Sequence, residues 1–258
     1  MFENAIIQLQ KNHRSIREFT DAPVEEEKRR ALYDVFCKTP SSMGLQQCSI
    51  VRVKDAEKRK KIAEWGNQEY IARAPELWIY VVDTYRNGQI AREKGTSGSS
   101  DRSMDFFFQG FTDAILAAQN VNVAVESMGM GGCFIGNILN NPQGLCTLLD
   151  LPAGVFPALG YIFGYPNQKP EKKPRMDASL RIFEDRYQKQ ENYREALAEY
   201  DEVMHTYYDL RQANRRVDRF TDQVAAKVEA VSKPRQSILQ FVKEQGFRLF
   251  AEGETPDA

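Results

Sequence analysis

Between His13 and Phe19 the chain reads HRSIREF, which sets two guanidinium groups, Arg14 and Arg17, on either side of a hydroxyl, Ser15. An arginine fork matches phosphate oxygens two at a time, and a serine hydroxyl adds a short hydrogen bond to the same group. The spacing predicts a site for a phosphate-bearing ligand; the plainer alternative is a solvated helix end. A second compact cationic cluster, Lys172-Lys173-Pro174-Arg175, lies far along the chain. Folded back beside Arg14 and Arg17, it would supply enough charge to hold one phosphate and leave some for a ring. Otherwise it is an exposed basic turn.

A third stretch, GMGGCFIGN from Gly129 to Asn137, invites reading as a dinucleotide fingerprint. It follows a helical pattern rather than a strand and has no acidic residue at the required distance, so that reading fails. The better one is a strand whose glycines let the backbone approach a flat ligand.

These segments need elements to position them. Phe2, Ile6 and Leu9 fall at helical spacing, giving a short helix that delivers HRSIREF. After Asp21-Ala22-Pro23 a second helix carries Glu25, Glu26 and Glu27 in its first turn and buries Leu32, Val35 and Phe36. A turn-rich loop from Thr39 to Gln47, with Ser41, Ser42, Met43 and Gly44, leads into a strand from Ser49 to Lys54, and Asp55 caps the following helix. Leu77–Val82 is a continuously apolar strand of the kind covered on both faces. Tyr85 to Ser103 reads as a mobile polar loop and a lid. From Asp105 to Met128 the pattern is helical and apolar over most of its circumference, so this helix is either the central core helix or a subunit contact. Gly129 stops it. Asn140-Asn141-Pro142 starts another helix, and Val155–Pro166 is a strand. In the last third, Tyr193–Arg211 predicts one long helix, followed by the cations Arg211, Arg215, Arg216 and Arg219, with Lys233-Pro234-Arg235 beyond.

Composition narrows the function classes. The 258 residues are 42% hydrophobic and 28% charged, with 35 basic and 36 acidic side chains and a net charge of -1. So neutral a field argues against a nucleic-acid or membrane-surface protein. The run Lys58–Lys61 is flanked by acids and reads as a solvated face. Cys37, Cys48, Cys133 and Cys146 are widely spaced with no C-x-x-C pair, as expected of thiols in a reducing, cytoplasmic compartment. His13 and His205 alone cannot build a multi-histidine metal site, and neither lies in a nucleophile motif. No apolar run reaches the roughly 18 residues of a membrane span.

Taken in order, HRSIREFTDAPV, the Ser41-Ser42 loop, Gly66-Asn67-Gln68, GMGGCFIGNILNN, LPAGVFPALGYIFGYP, KPR at 173–175 and EYDEVMHTYYDLR resemble the FMN-dependent nitroreductase family. The resemblance is to its NADPH-dependent oxygen-insensitive branch, which includes flavin reductases, and it runs over nearly the whole chain. It implies an α+β fold: a mainly antiparallel sheet flanked by helices, in a domain-swapped homodimer with two FMN sites at the interface. The FMN-binding core would span 1–180, and 181–258 would form an arm wrapping the partner and contributing to the NADPH site.

The resemblance also implies roles. His13, Arg14, Ser15, Arg17 and Arg175 would hold the ribityl phosphate. Lys173 would lie nearer the ring, and Gln68 would bond its pyrimidine edge. Phe134, Ile135 and Gly136 would line its face and N5 edge, with Ser41 and Ser42 reaching in from the partner. Met43 and Gly44 would border the substrate, and Arg211, Arg215 or Arg216, and Arg235 would grip the 2′-phosphate of NADPH. Asn137 stands where relatives often carry glycine, and Met43-Gly44 departs from their small-then-aromatic pattern.

The expected activity is ping-pong hydride transfer from NADPH through FMN to a nitroaromatic, quinone or related acceptor, with no side chain needed as acid or base. The alternatives are a flavin reductase releasing reduced FMN, an azoreductase or dehalogenase on the same scaffold, and, in another class, a colourless nucleic-acid-binding module.

Overall fold

The structure, a computed structural model, describes residues 2–98, 100–211, 219–229 and 233–248. The chain divides into two units, Met1–Pro170 with Lys233–Ala258, and Glu171–Ser232.

In the first unit, α1 (Ala5–Lys11) starts at Asn4, whose side chain accepts from the Ile7 amide at 2.9 Å. Helix α2 (Glu26–Cys37) follows the proline turn with Glu26 and Glu27 in its first turn. Strand β1 (Cys48–Arg52) precedes α3 (Ala56–Gly66), which Asp55 caps through the Lys58 amide at 2.8 Å. Then come α4 (Tyr70–Arg73), β2 (Glu76–Asp83), α5 (Tyr85–Glu93), the 24-residue α6 (Met104–Ser127), β3 (Gly131–Ile135), α7 (Pro142–Leu148) and β4 (Val155–Gly164). Asn141 caps α7, accepting from the Gly144 amide at 2.9 Å, with Pro142 inside the first turn.

The sheet has the order β1-β2-β4-β3 and every pairing is antiparallel. Central strand β2 is buried along almost its whole length, and its period of two sends side chains to two cores. Trp78, Tyr80 and Val82 pack with Ala114, Ala117, Val121 and Val125 of α6. Leu77, Ile79 and Val81 pack with Ile62 of α3, Ile71 of α4 and Leu145 of α7. In β4 the register slips opposite Tyr80 and Val81. That bulge lets Phe156 and Ala158, then Tyr161 and Phe163, all join the α6 side, and it accommodates Pro157 within a central strand. Gly129 ends α6 with φ +76, as the sequence predicts.

Two expectations change. The segment after β2 is not one continuous loop: Tyr85–Glu93 is helical, and Asp101 beyond the Gly/Ser-rich stretch packs back on it. Gly88 leaves room for the Asp101 carboxylate, which a Cβ would meet at 2.0 Å, and Arg92 pairs with Asp101 at 3.1 Å. Polar composition concealed an internal ion pair.

In the second unit the predicted long helix is two, α8 (Tyr193–Ala196) and α9 (Ala198–Arg211), divided at Leu197. Helix α10 (Phe220–Glu229) joins α9 where Asp201 accepts from the Thr221 amide at 3.0 Å and from its hydroxyl at 2.5 Å. Back in the first unit, α11 (Lys233–Gln236) and α12 (Ile238–Glu244) close the described chain, with Val242 and Phe247 buried in the α6-side core. Among the described residues no helix is long and apolar enough to cross a membrane.

Candidate functional site: a cationic strand edge and its loops

The HRSIREF segment runs along the free edge of β3. The Ile16 amide donates to the Gly132 carbonyl at 2.9 Å, and Phe19 bridges Pro166 beyond the end of β4. Ile16 is buried at this seam, and Gly131 makes room for it, since a Cβ there would stand 2.5 Å from Ile16 Cγ1. With alternation along the extended segment, Ser15 and Arg17 share a face and both come within hydrogen-bonding reach of the Cys133 thiol. Arg17 also reaches the Tyr70 hydroxyl. Burial pushes the Cys133 thiol up, and Arg17 and Ser15 oppose that shift. On the other face, Arg14 borders a cavity of about 240 Å³ lined by Asn12, Glu126, Gly131, Gln168 and Lys169. Its Nη1 donates to the Asn12 carbonyl at 3.4 Å, while its Nε is buried with no partner. A buried guanidinium nitrogen without an acceptor costs stability. His13 Nδ1 lies 2.5 Å from Glu126 Oε1. A carboxylate can only accept, so Nδ1 carries the proton.

Beyond β3 the chain makes a 3-10 turn, Gly136–Asn140, pinned on both sides. Asn137 and Asn140 donate to the Gly66 and Trp65 carbonyls at 3.0 and 3.2 Å. The Arg235 guanidinium donates to the Gly136 carbonyl at 2.6 Å and to Asn140 Oδ1 at 3.1 Å. Gln68 flanks the same place, because a Cβ on Gly66 would lie 3.5 Å from the Asn137 Cβ and 4.0 Å from that of Gln68. The glycine reading of this stretch divides accordingly. Gly131 and Gly132 admit protein side chains, Ile16 and the buried Tyr161, whereas Gly136 faces open space with nothing within 4 Å of where a Cβ would stand. Phe134 stacks obliquely on Tyr161, and Ile135 is buried in the opposite core.

The Ser41–Gln47 loop is held elsewhere in the same unit. Three of its residues are left-handed: Met43 (φ +53), Gly44 (φ +70) and Gln46 (φ +52). For the two that are not glycine this costs on the order of 1 kcal/mol each. The loop is clamped by Asp113 of α6, a buried carboxylate whose two oxygens accept from the Ser42 amide at 2.8 Å and the Gln47 amide at 3.1 Å. Hydrogen bonds to a charged acceptor contribute roughly 1.5–3 kcal/mol each, enough to offset that strain. Ser41 Oγ accepts from the Gln46 amide at 3.2 Å, Asn87 of α5 donates to the Leu45 carbonyl at 2.9 Å, and Arg86 donates to that of Gln46. At the tip, Met43 is 71% exposed.

Lys173 and Arg175 belong to the second unit. There Arg175 Nη1 donates to the Lys173 and Pro174 carbonyls at 2.9 and 3.2 Å, and the Tyr200 hydroxyl donates to the Pro174 carbonyl at 3.1 Å. Arg211 is the last residue of α9. Its side chain, and Arg215 and Arg216 altogether, lie outside the described residues.

A sequence model of the nitroreductase family matches residues 11–165, and one of that family's C-terminal domain matches residues 173–250. The chain belongs to the nitroreductase family. It is 35% identical to the oxygen-insensitive NADPH nitroreductase of Salmonella typhimurium, over 93% of this chain and 97% of that protein. It is 34% identical to the FMN reductase (NADPH) of Bacillus subtilis, over 95% of this chain and 98% of that one. Among solved structures, nitroreductase A from Vibrio parahaemolyticus superposes with a TM-score of 0.85 at 33% identity, covering 95% of this chain and 99% of that chain. The NADPH:FMN oxidoreductase from Vibrio harveyi, complexed with NAD+, superposes with a TM-score of 0.83 at 32% identity over the same shares.

For this nitroreductase-family chain, residue-by-residue reading of the sequence passed over Asp113, Glu126 and Tyr70. Asp113 had a signal: it is a lone acid on the most apolar stripe of α6, between Phe111 and Ala114. Glu126 and Tyr70 had none, since their partners, His13 and Arg17, are far away in the chain.

Proposed function

We propose that the protein is an NADPH-dependent FMN oxidoreductase that reduces nitroaromatics, quinones or related acceptors. The observation that carries this reading is the HRSIREF segment hydrogen-bonded to β3, which aligns the Ser15 hydroxyl and the Arg17 guanidinium on one face. A phosphate fits that hydroxyl and guanidinium, and the open space at Gly136 fits a flat ring approaching the backbone. Family membership over the full length supports the same ligand, as do the relatives named for NADPH and FMN.

When bound, FMN supplies the chemistry, taking hydride from NADPH and passing two electrons to the acceptor. The chain's own residues bind and orient. Ser15 and Arg17, on one face of the segment, take the phosphate, while Arg14 lies on the other face and Glu126 fixes the tautomer of His13. Gln68 and the Gly136 turn border the ring, and Phe134 and Ile135 back the strand beneath it. Arg211, Arg215 and Arg216 supply cations suited to a 2′-phosphate. Arg235, already bonded to Gly136, acts on the same turn.

The working form is a homodimer, in which Ser41, Ser42, Met43 and Gly44 of one chain border the flavin of the other. In support, α6 leaves Phe108, Ile115 and Leu116 exposed in the single chain. An apolar stripe on a core helix calls for a covering surface. Residues 181–258 form the arm that wraps the partner, and the compartment is the cytoplasm. Release of free reduced FMN as product is equally compatible with the relatives' names.

The test is direct. Purified protein should be yellow or become so with FMN, and should oxidise NADPH with parallel double-reciprocal lines against a quinone. Colourless protein that acquires no FMN overturns the proposal.

A further inference from the structure

The least expected group near the proposed site is Asp113. A carboxylate buried on an apolar helix face normally pairs with a cation, yet both its oxygens accept main-chain amides, those of Ser42 and Gln47. Those two amides bracket the left-handed residues Met43, Gly44 and Gln46. One turn earlier on α6, Gly110 is what lets the loop come this close: a Cβ there would stand 2.8 Å from the Gln47 carbonyl oxygen. Gln47 itself is fully buried, and its side-chain amide donates to Gln109 Oε1 at 3.0 Å. Three neighbouring positions of α6, 109, 110 and 113, are therefore given over to fixing the six residues from Ser42 to Gln47. The most exposed large apolar side chain of the loop is Met43, at 71%, against 36% for Leu45.

We infer that Asp113 is a positioning residue that sets acceptor preference by fixing the Ser42–Gln47 loop with Met43 held out over the partner's flavin site. The inference rests on the proposed FMN oxidoreductase reading. Asp113 touches neither cofactor nor acceptor; it acts through the backbone of the loop. The loop's left-handed residues would relax to other conformations once the bracket is lost, and Met43 would no longer present one surface. The ligand it meets is the acceptor's planar conjugated face, against which a polarizable, flexible thioether packs without demanding one shape.

The experiment is steady-state turnover of the FMN-loaded dimer with para-nitrobenzoate and para-benzoquinone, in Asp113→Asn, Met43→Ala and the double variant. Asparagine keeps the shape but sets an NH2 against a backbone N–H, breaking one of the two bonds. FMN content and kcat should hold, while KM for para-nitrobenzoate rises about tenfold. Met43→Ala alone should raise KM as well, but add less than about twofold in the Asp113→Asn background, since both variants remove one presented surface. An unchanged KM, or two effects that multiply, overturns the inference and leaves the flavin assignment standing. A protein that takes up no FMN overturns both. If Asp113→Asn does not fold, Asp113→Ser breaks the same bracket without setting an NH2 against a loop amide. The same rise in KM is then expected, and its absence is decisive against the inference.

Discussion

Arg235 donates to the carbonyl oxygen of Gly136 at 2.6 Å, so a residue of the C-terminal helices holds the turn that ends β3. Because the fork also takes Asn140 Oδ1 at 3.1 Å, it fixes the turn in two directions. Lysine cannot reproduce a fork. Arg235→Lys and Arg235→Ala should therefore both lower kcat/KM, and by the same factor with NADPH and with NADH. A loss confined to NADPH would instead put this guanidinium on the 2′-phosphate, as the resemblance implies.

The Arg17 guanidinium, aligned with Ser15 on one face of the segment, makes a sharper prediction about cofactor affinity. Removing a charge-assisted contact to a phosphate costs roughly 1.5–3 kcal/mol, so Arg17→Ala should bind FMN about 10- to 100-fold more weakly. Titration of the apoprotein, following quenching of FMN fluorescence, measures it. Unchanged affinity would remove Arg17 from the site. Riboflavin, which lacks the phosphate, should bind the variant and the parent alike.

Much of this was legible in the chain because the signals were local. The apolar run of β2, the caps Asp55 and Asn141 and the stop at Gly129 each act within a few residues. What stayed hidden was set by tertiary contact. The segment after β2 is polar enough to pass for one continuous loop, and only Gly88 against Asp101 shows why it packs back. Gly131 and Gly136 look equivalent in sequence, yet one is filled by Ile16 and the other is open. In the candidate site, residue type alone picks out Arg14, Ser15 and Arg17, but only the extended conformation shows that Ser15 and Arg17 share a face and Arg14 does not. The Asp113 bracket required knowing that α6 turns that face toward a loop of left-handed residues.

The stability of the sheet end should depend on Glu76. Its buried carboxylate accepts from Arg52 at 2.6 and 2.5 Å and from Trp78 Nε1 at 3.0 Å, with Arg29 at 3.6 Å. Breaking a buried pair strands its partner's charge, at a cost on the order of 3 kcal/mol, so Glu76→Gln should lower the chemical denaturation midpoint visibly. Glu57→Gln, which breaks an exposed pair with Lys60, serves as the control and should leave the midpoint in place.

Alkaline stability follows from the thiols. Burial pushes Cys146 up from its ordinary 9.0 to about 12, and burial with the Asp113 and Asp83 charges does the same to Cys48. For an acid whose folded pKa is raised, the folded chain keeps the proton that the unfolded chain gives up. The resulting stabilisation is complete below about pH 9 and is lost as pH rises from there towards about 12. Denaturation midpoints should therefore be flat from neutrality to about pH 9 and fall beyond it. The double variant Cys48→Ala/Cys146→Ala should show a shallower fall, and an equally steep one would assign the alkaline loss to other groups. Thiol titration with an aromatic disulfide at pH 8 supplies the parallel check. Cys37, exposed in the single chain, should react alone, with Cys48, Cys133 and Cys146 reacting only on unfolding.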